Sequence, residues 1–164
     1  MNIRFINDLT SQRRTGATFD SCPGGVEITS CKDVVTLVCK RVSGGWTADE
    51  VYDIAEEFLT PYLIDAQATL YFGFFRLDNG DIIIDVNCLV DAGHRENTLQ
   101  FAKANGQESI WDGKNQCFIL TGGNGISKLR ATLEEVEHAA VLLERGFKHP
   151  IQHEQNWKTL TPTK

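Results

Sequence analysis

Two stretches of this chain carry residue types and spacings that could do chemistry. The string Asp91-Ala92-Gly93-His94-Arg95 falls between the end of an apolar strand pattern and the start of a helical one. An imidazole and a guanidinium beside the free N–H groups of a helix start make an anion site. Asp91 could orient His94, as a carboxylate orients a general base. Gln107, Ser109 and Asp112 follow a short way on. The second stretch is Thr121-Gly122-Gly123-Asn124-Gly125, ahead of Ile126-Ser127-Lys128. Glycines let backbone N–H groups approach a phosphate closely. The pattern departs from a phosphate loop, because the hydroxyl residue precedes the lysine and no parallel βαβ context surrounds it. A plain flexible turn is the competing reading. Taken together, His94, Arg95, Gln107, Ser109, Gly122, Gly123, Asn124 and Gly125 outline one function: binding or hydrolysing a phosphorylated or nucleotide ligand.

Cysteine and histidine add little to that. The five cysteines, Cys22, Cys31, Cys39, Cys88 and Cys117, are odd in number and form no Cys-x-x-Cys pair. A disulfide framework and a zinc knuckle are both disfavoured. Cys39, Cys88 and Cys117 fall in strand patterns, which predicts buried, inert thiols rather than a partner for a His94-assisted nucleophile. Cys22, before Pro23-Gly24-Gly25, is expected in an exposed loop. Glu135 and His138 share a helix face at i, i+3 spacing, but the motif has no second copy. His149 and His153 are separated by Pro150, which breaks the helical reading. No metal site and no cofactor are expected. No complete catalytic motif is present, and the sequence leaves open whether the protein is an enzyme.

Charge distribution supplies the other functional reading. Residues 46–96 hold two Lys/Arg and eleven Asp/Glu, which exceeds the whole net charge of −6. An acidic surface repels nucleic acid and attracts basic partners, so no direct nucleic-acid binding is expected. Thr47-Ala48-Asp49-Glu50 reads as a capping box opening a helix whose apolar stripe is Val51, Ile54, Ala55, Phe58 and Leu59. Asp49, Asp53, Glu56 and Glu57 occupy the remainder of that helix, and Pro61 is expected to end it. These four acids, with Phe72, Phe74 and Asp85 from a mixed hairpin face, outline a docking surface for a basic protein. The principal reading is therefore a small acidic interaction protein, an inhibitor or adaptor without catalysis. The phosphate-ligand site is the alternative. The first residues show no apolar signal core, and no apolar run approaches the roughly 18 residues of a membrane span, so a soluble cytoplasmic protein is expected.

The elements that must position these groups read as strand, strand, helix, three times over. Strands are predicted over 26–29, 34–42, 69–77, 81–91, 109–111 and 117–120, with helices from 48, 95 and 133. The fold class is α+β: a single domain over 1–146 with a mainly antiparallel sheet built from hairpins each followed by a helix. A polar tail covers 147–164, loosely held unless Trp157 docks. Asn79-Gly80 predicts a two-residue hairpin loop. Leu77 would then face Ile82, Phe75 would face Ile84, and Phe72 and Phe74 would point to the mixed face. An uncovered edge strand would allow a homo-oligomer.

Overall fold

The computed structural model describes residues 3–21, 25–125, 131–148, 150–151 and 156–164. Cys22, Ile126-Ser127-Lys128, His149 and His153 lie outside the described residues. The fold is α+β. Its helices are α1 (Ile3–Thr10), α2 (Ala48–Ile64), α3 (Arg95–Ala104) and α4 (Leu133–Arg145). Its strands are β1 (Gly16–Asp20), β2 (Glu27–Ile28), β3 (Asp33–Val42), β4 (Tyr71–Arg76), β5 (Ile82–Val90), β6 (Ser109–Asp112) and β7 (Cys117–Leu120). They form one antiparallel sheet in the order β2-β1-β4-β5-β3-β6-β7. The first hairpin is β1–β2, not the expected pairing of 26–29 with 34–42. Among the described residues, no helix is long and apolar enough to cross a membrane.

The chain divides into two compact units. The first comprises Met1–Ile28 and Cys39–Val86. Here α1 packs on α2, burying Phe5, Ile6 and Leu9 against a core that includes Val51, Ala55 and Leu59. The Thr47 hydroxyl accepts the Glu50 N–H, and the Glu50 carboxylate accepts the Thr47 N–H at 2.7 Å, so the expected capping box is formed. Pro61 does not end the helix; α2 continues to Ile64. Proline removes one backbone donor, but Tyr62 in the extra turn is buried, and that packing holds the last turn in place.

The β4–β5 hairpin corrects the expected register. The Gly80 N–H donates to the Leu77 carbonyl at 2.9 Å, and the Leu77 N–H donates to Asp81 at 2.8 Å. The loop is therefore the three residues Asp78-Asn79-Gly80, with Gly80 at φ +90°. Leu77 meets Asp81 instead of Ile82, and a slip of one residue turns every side chain to the other face. Phe72 and Phe74, expected on the mixed face, are 4% and 2% exposed and join the core, as do Ile82, Ile84 and Val86. Phe75, expected to face Ile84, is only half-buried, as is Tyr71.

The second unit comprises Thr29–Val38 and Asn87–Lys164. Phe101 on α3 and Leu142 and Leu143 on α4 are fully buried in it. Trp157 docks: it is 0% exposed, and its ring lies 4.9 Å from that of Phe101. The Thr132 hydroxyl caps α4 by accepting the Glu135 N–H. The turn after β6 holds Gly113, whose N–H donates to the Lys32 carbonyl at 3.2 Å; a side chain there would collide with the Ser30 and Lys32 carbonyls.

Candidate functional site

In the first unit, α2 presents its acids outward. Asp49, Asp53, Glu56 and Glu57 are all exposed. Asp49, Asp53 and Glu57 follow each other at i, i+4, a spacing at which like charges oppose helix formation by a few tenths of a kcal/mol per pair. Only Asp49 and Glu50 lie in the first turn, where the helix dipole favours them. No Lys or Arg occurs anywhere from residue 42 to residue 75. The helix therefore carries a negative face that its own segment does not neutralise.

A cleft of about 90 Å³ opens beside that face. It is lined by Phe5 of α1, Phe19 and Asp20 of β1, Gly25, Tyr52, Glu56, Leu59 and Leu63 of α2, and Phe72 and Phe74 of β4. The rings of Phe5, Phe19 and Phe74 stand edge-to-face, with centroids 4.8, 5.9 and 6.1 Å apart. Of the residues the sequence singled out, Glu56, Phe72 and Phe74 meet here, with the two rings as floor rather than as an exposed face. Asp85 is not part of the cleft. It alternates with the buried Ile84 and Val86 on β5, and burial pushes its carboxyl up to about 7. The sequence reading missed Phe5, Phe19, Asp20, Tyr52 and Leu63. The spacing of Phe5, Ile6 and Leu9 was the one available sign that a helix brings Phe5 inward.

The residues of the phosphate reading lie in the second unit, at two ends of α3. Arg95, at its start, donates from Nε and Nη2 to Asp33 at 2.9 and 2.6 Å, and its Nη2 lies 3.0 Å from Asp112. Asp33 and Asp112 sit opposite each other on β3 and β6 and are 0% and 1% exposed. Like charges so placed repel, and Arg95 bridges them. Its guanidinium pKa rises further through the Asp33 hydrogen bond. The Asp112 carboxyl is held below its usual value, mainly by the Asn115 backbone N–H. Arg95 is thus engaged in the architecture. His94 is held through Nδ1 by the Leu143 carbonyl at 3.3 Å, while Asp91 points to Lys32 at 3.6 Å and does not orient it. A polar hollow of about 230 Å³ beside His94 is lined by residues that include Asn97, Arg145 and Thr163.

The glycine-rich loop packs against the other end of α3, about 15 Å along a helix of this length. The Thr121 hydroxyl donates to the Gln107 carbonyl and accepts the Gly123 N–H at 2.9 Å. Side chains at Gly122 and Gly125 would meet Lys103 at 3.8 Å and Glu108 at 3.4 Å. The Gln107 amide donates to the Ser109 carbonyl at 3.2 Å. Gln107, Ser109 and Gly122–Gly125, with Asn124 exposed among them, form one local cluster. No member of it lines the hollow beside His94.

Burial pushes the Cys88 thiol up to about 12, which disfavours a thiolate. Cys117, expected to be buried, is exposed on β7, the last strand of the sheet. Among the described residues, no group of three or more His, Cys, Asp or Glu is placed to hold a metal ion. No protein-family model, curated protein or solved structure matches the chain.

Proposed function

We propose that this protein is a non-catalytic interaction module, an inhibitor or adaptor, that binds a macromolecular partner with a basic surface through the outer face of α2. The observation that carries the reading is the exposed row Asp49, Asp53 and Glu57, on a capped helix in a stretch of 34 residues without a cation. A cationic partner relieves the repulsion within that row and is steered toward it. A cytoplasmic setting fits Cys31 and Cys117, which are exposed and in no disulfide.

The test uses the tagged full chain and its Asp53→Lys/Glu57→Lys variant side by side as baits, with bound proteins identified and quantified. A basic protein retained in stoichiometric amount by the wild type and lost from the variant is the expected result. Equal retention by both baits overturns the reading.

A further inference from the structure

The cleft beside α2 has the shape of an anchor site. Its floor and walls are apolar: Phe5, Phe19, Leu59, Leu63, Phe72 and Phe74. The edge-to-face contacts of Phe5, Phe19 and Phe74 fix those rings, so the walls do not collapse into the space. Leu63 is 42% exposed, and Ile64, its neighbour, is 74% exposed. Val26, which follows Gly25 at the lining, is 62% exposed. Apolar surface left open in a concavity gains free energy when an apolar group covers it.

The charges at the cleft select what covers it. The charged groups in its lining are Asp20 and Glu56. One Asp20 oxygen accepts the Val26 N–H at 2.9 Å, which fixes that carboxylate in place. The Arg14 guanidinium lies 5.0 Å over the Phe5 ring, and its carboxylate partner is Glu27. An anionic lipid surface or an acidic segment meets repulsion here. A second copy of this chain would bring its own acidic α2 against the first. An uncharged apolar ligand would desolvate two carboxylates without compensation.

We infer that the cleft takes one leucine-sized aliphatic side chain from a partner segment in which that residue is flanked by lysine or arginine. The anchor fills the apolar space while the flanking cations meet Asp20, Glu56 and the acids of α2. A volume of about 90 Å³ suits one such side chain and is smaller than the roughly 150 Å³ cavities that take up benzene. A few buried anchors of this kind carry most of the energy of an interface. The inference rests on the docking reading above and adds what the partner inserts.

The test titrates the full chain with two capped pentapeptides, each with two lysines on either side of a central leucine or a central alanine. The leucine peptide is expected to bind about tenfold more tightly, the effect of burying the larger side chain. Leu63→Trp, which fills the mouth from an exposed position, is expected to bring the two peptides to equal affinity. Magnetisation transfer from the peptide leucine methyls to the rings of Phe19 and Phe72 provides a readout that needs no variant. Equal binding of both peptides by the wild type, with both weakened by Asp53→Lys/Glu57→Lys, overturns the anchor site and leaves the acidic docking face standing. A leucine preference that survives in Leu63→Trp, or the absence of transfer to those rings, also overturns it. Binding of neither peptide removes both the anchor and the docking face.

Discussion

The carboxylates of the two units are handled in opposite ways. In the second unit, Asp33 and Asp112 face each other across β3 and β6 in near-complete burial, and Arg95 answers both. In the first unit, Asp49, Asp53, Glu56 and Glu57 stand exposed along α2 with no cation in their stretch of chain. A buried charge must be paired internally, because water is not there to solvate it. An exposed charge has no such obligation and stays available to something outside. The difference separates acids that build the fold from acids that a partner can use. It also reassigns Arg95, whose type and place beside a helix start suggested ligand chemistry, to the first group.

The comparison is broken most severely by removing the arginine. Arg95→Ala leaves two opposed, buried carboxylates without a counter-charge and is expected to cost about 3–5 kcal/mol in denaturant unfolding. Adding Asp33→Asn and Asp112→Asn to it should recover part of that loss. A cost below about 1 kcal/mol would show that the cluster does not organise the unit.

Asp85 gives the next largest effect. Its folded-state pKa of about 7 lies above the ordinary carboxyl range. The folded protein therefore binds a proton more tightly than the unfolded chain. This contribution to stability is present at low pH and is lost as pH rises from about 4 through 7. Asp85→Asn is expected to stabilise the protein by about 2 kcal/mol at pH 8 and to have little effect near pH 4. Melting curves of the two proteins across that range check it, and a difference that does not change with pH would contradict it.

The smallest stability effect belongs to the acids of α2. Asp53→Lys/Glu57→Lys is expected to change stability by no more than about 0.5 kcal/mol, since these side chains are exposed. A large loss would mean that the acids support the fold, and the contrast with Asp33 and Asp112 would fail.

What was legible in the sequence is what is local. The cap at Thr47, the amphipathic pattern of α2 and the strand Cys117–Leu120 each depend on neighbouring residues. The β4–β5 register depends on distant ones as well. Asn79 accepts the Asp81 N–H at 3.0 Å, and the Asp81 carboxylate accepts the Gly44 N–H at 2.9 Å and Arg41 Nε at 2.6 Å. The last two contacts, from residues some forty positions away, accompany a three-residue loop where Asn-Gly alone suggested two, and the one-residue shift moved Phe72 and Phe74 inward. The cleft was hidden for the same reason. Four of its rings come from α1, β1 and β4, and the pairing of β1 with β4 leaves no mark in either segment. The acids of α2 were visible because charge needs no partner in order to be counted.

The most direct measurement of the central claim is a titration of the wild type and Asp53→Lys/Glu57→Lys with the leucine-centred lysine pentapeptide, at low and at high salt. Binding by the wild type is expected to weaken steeply with salt, and the variant is expected to bind little under either condition. Equal affinity of the two proteins would contradict it.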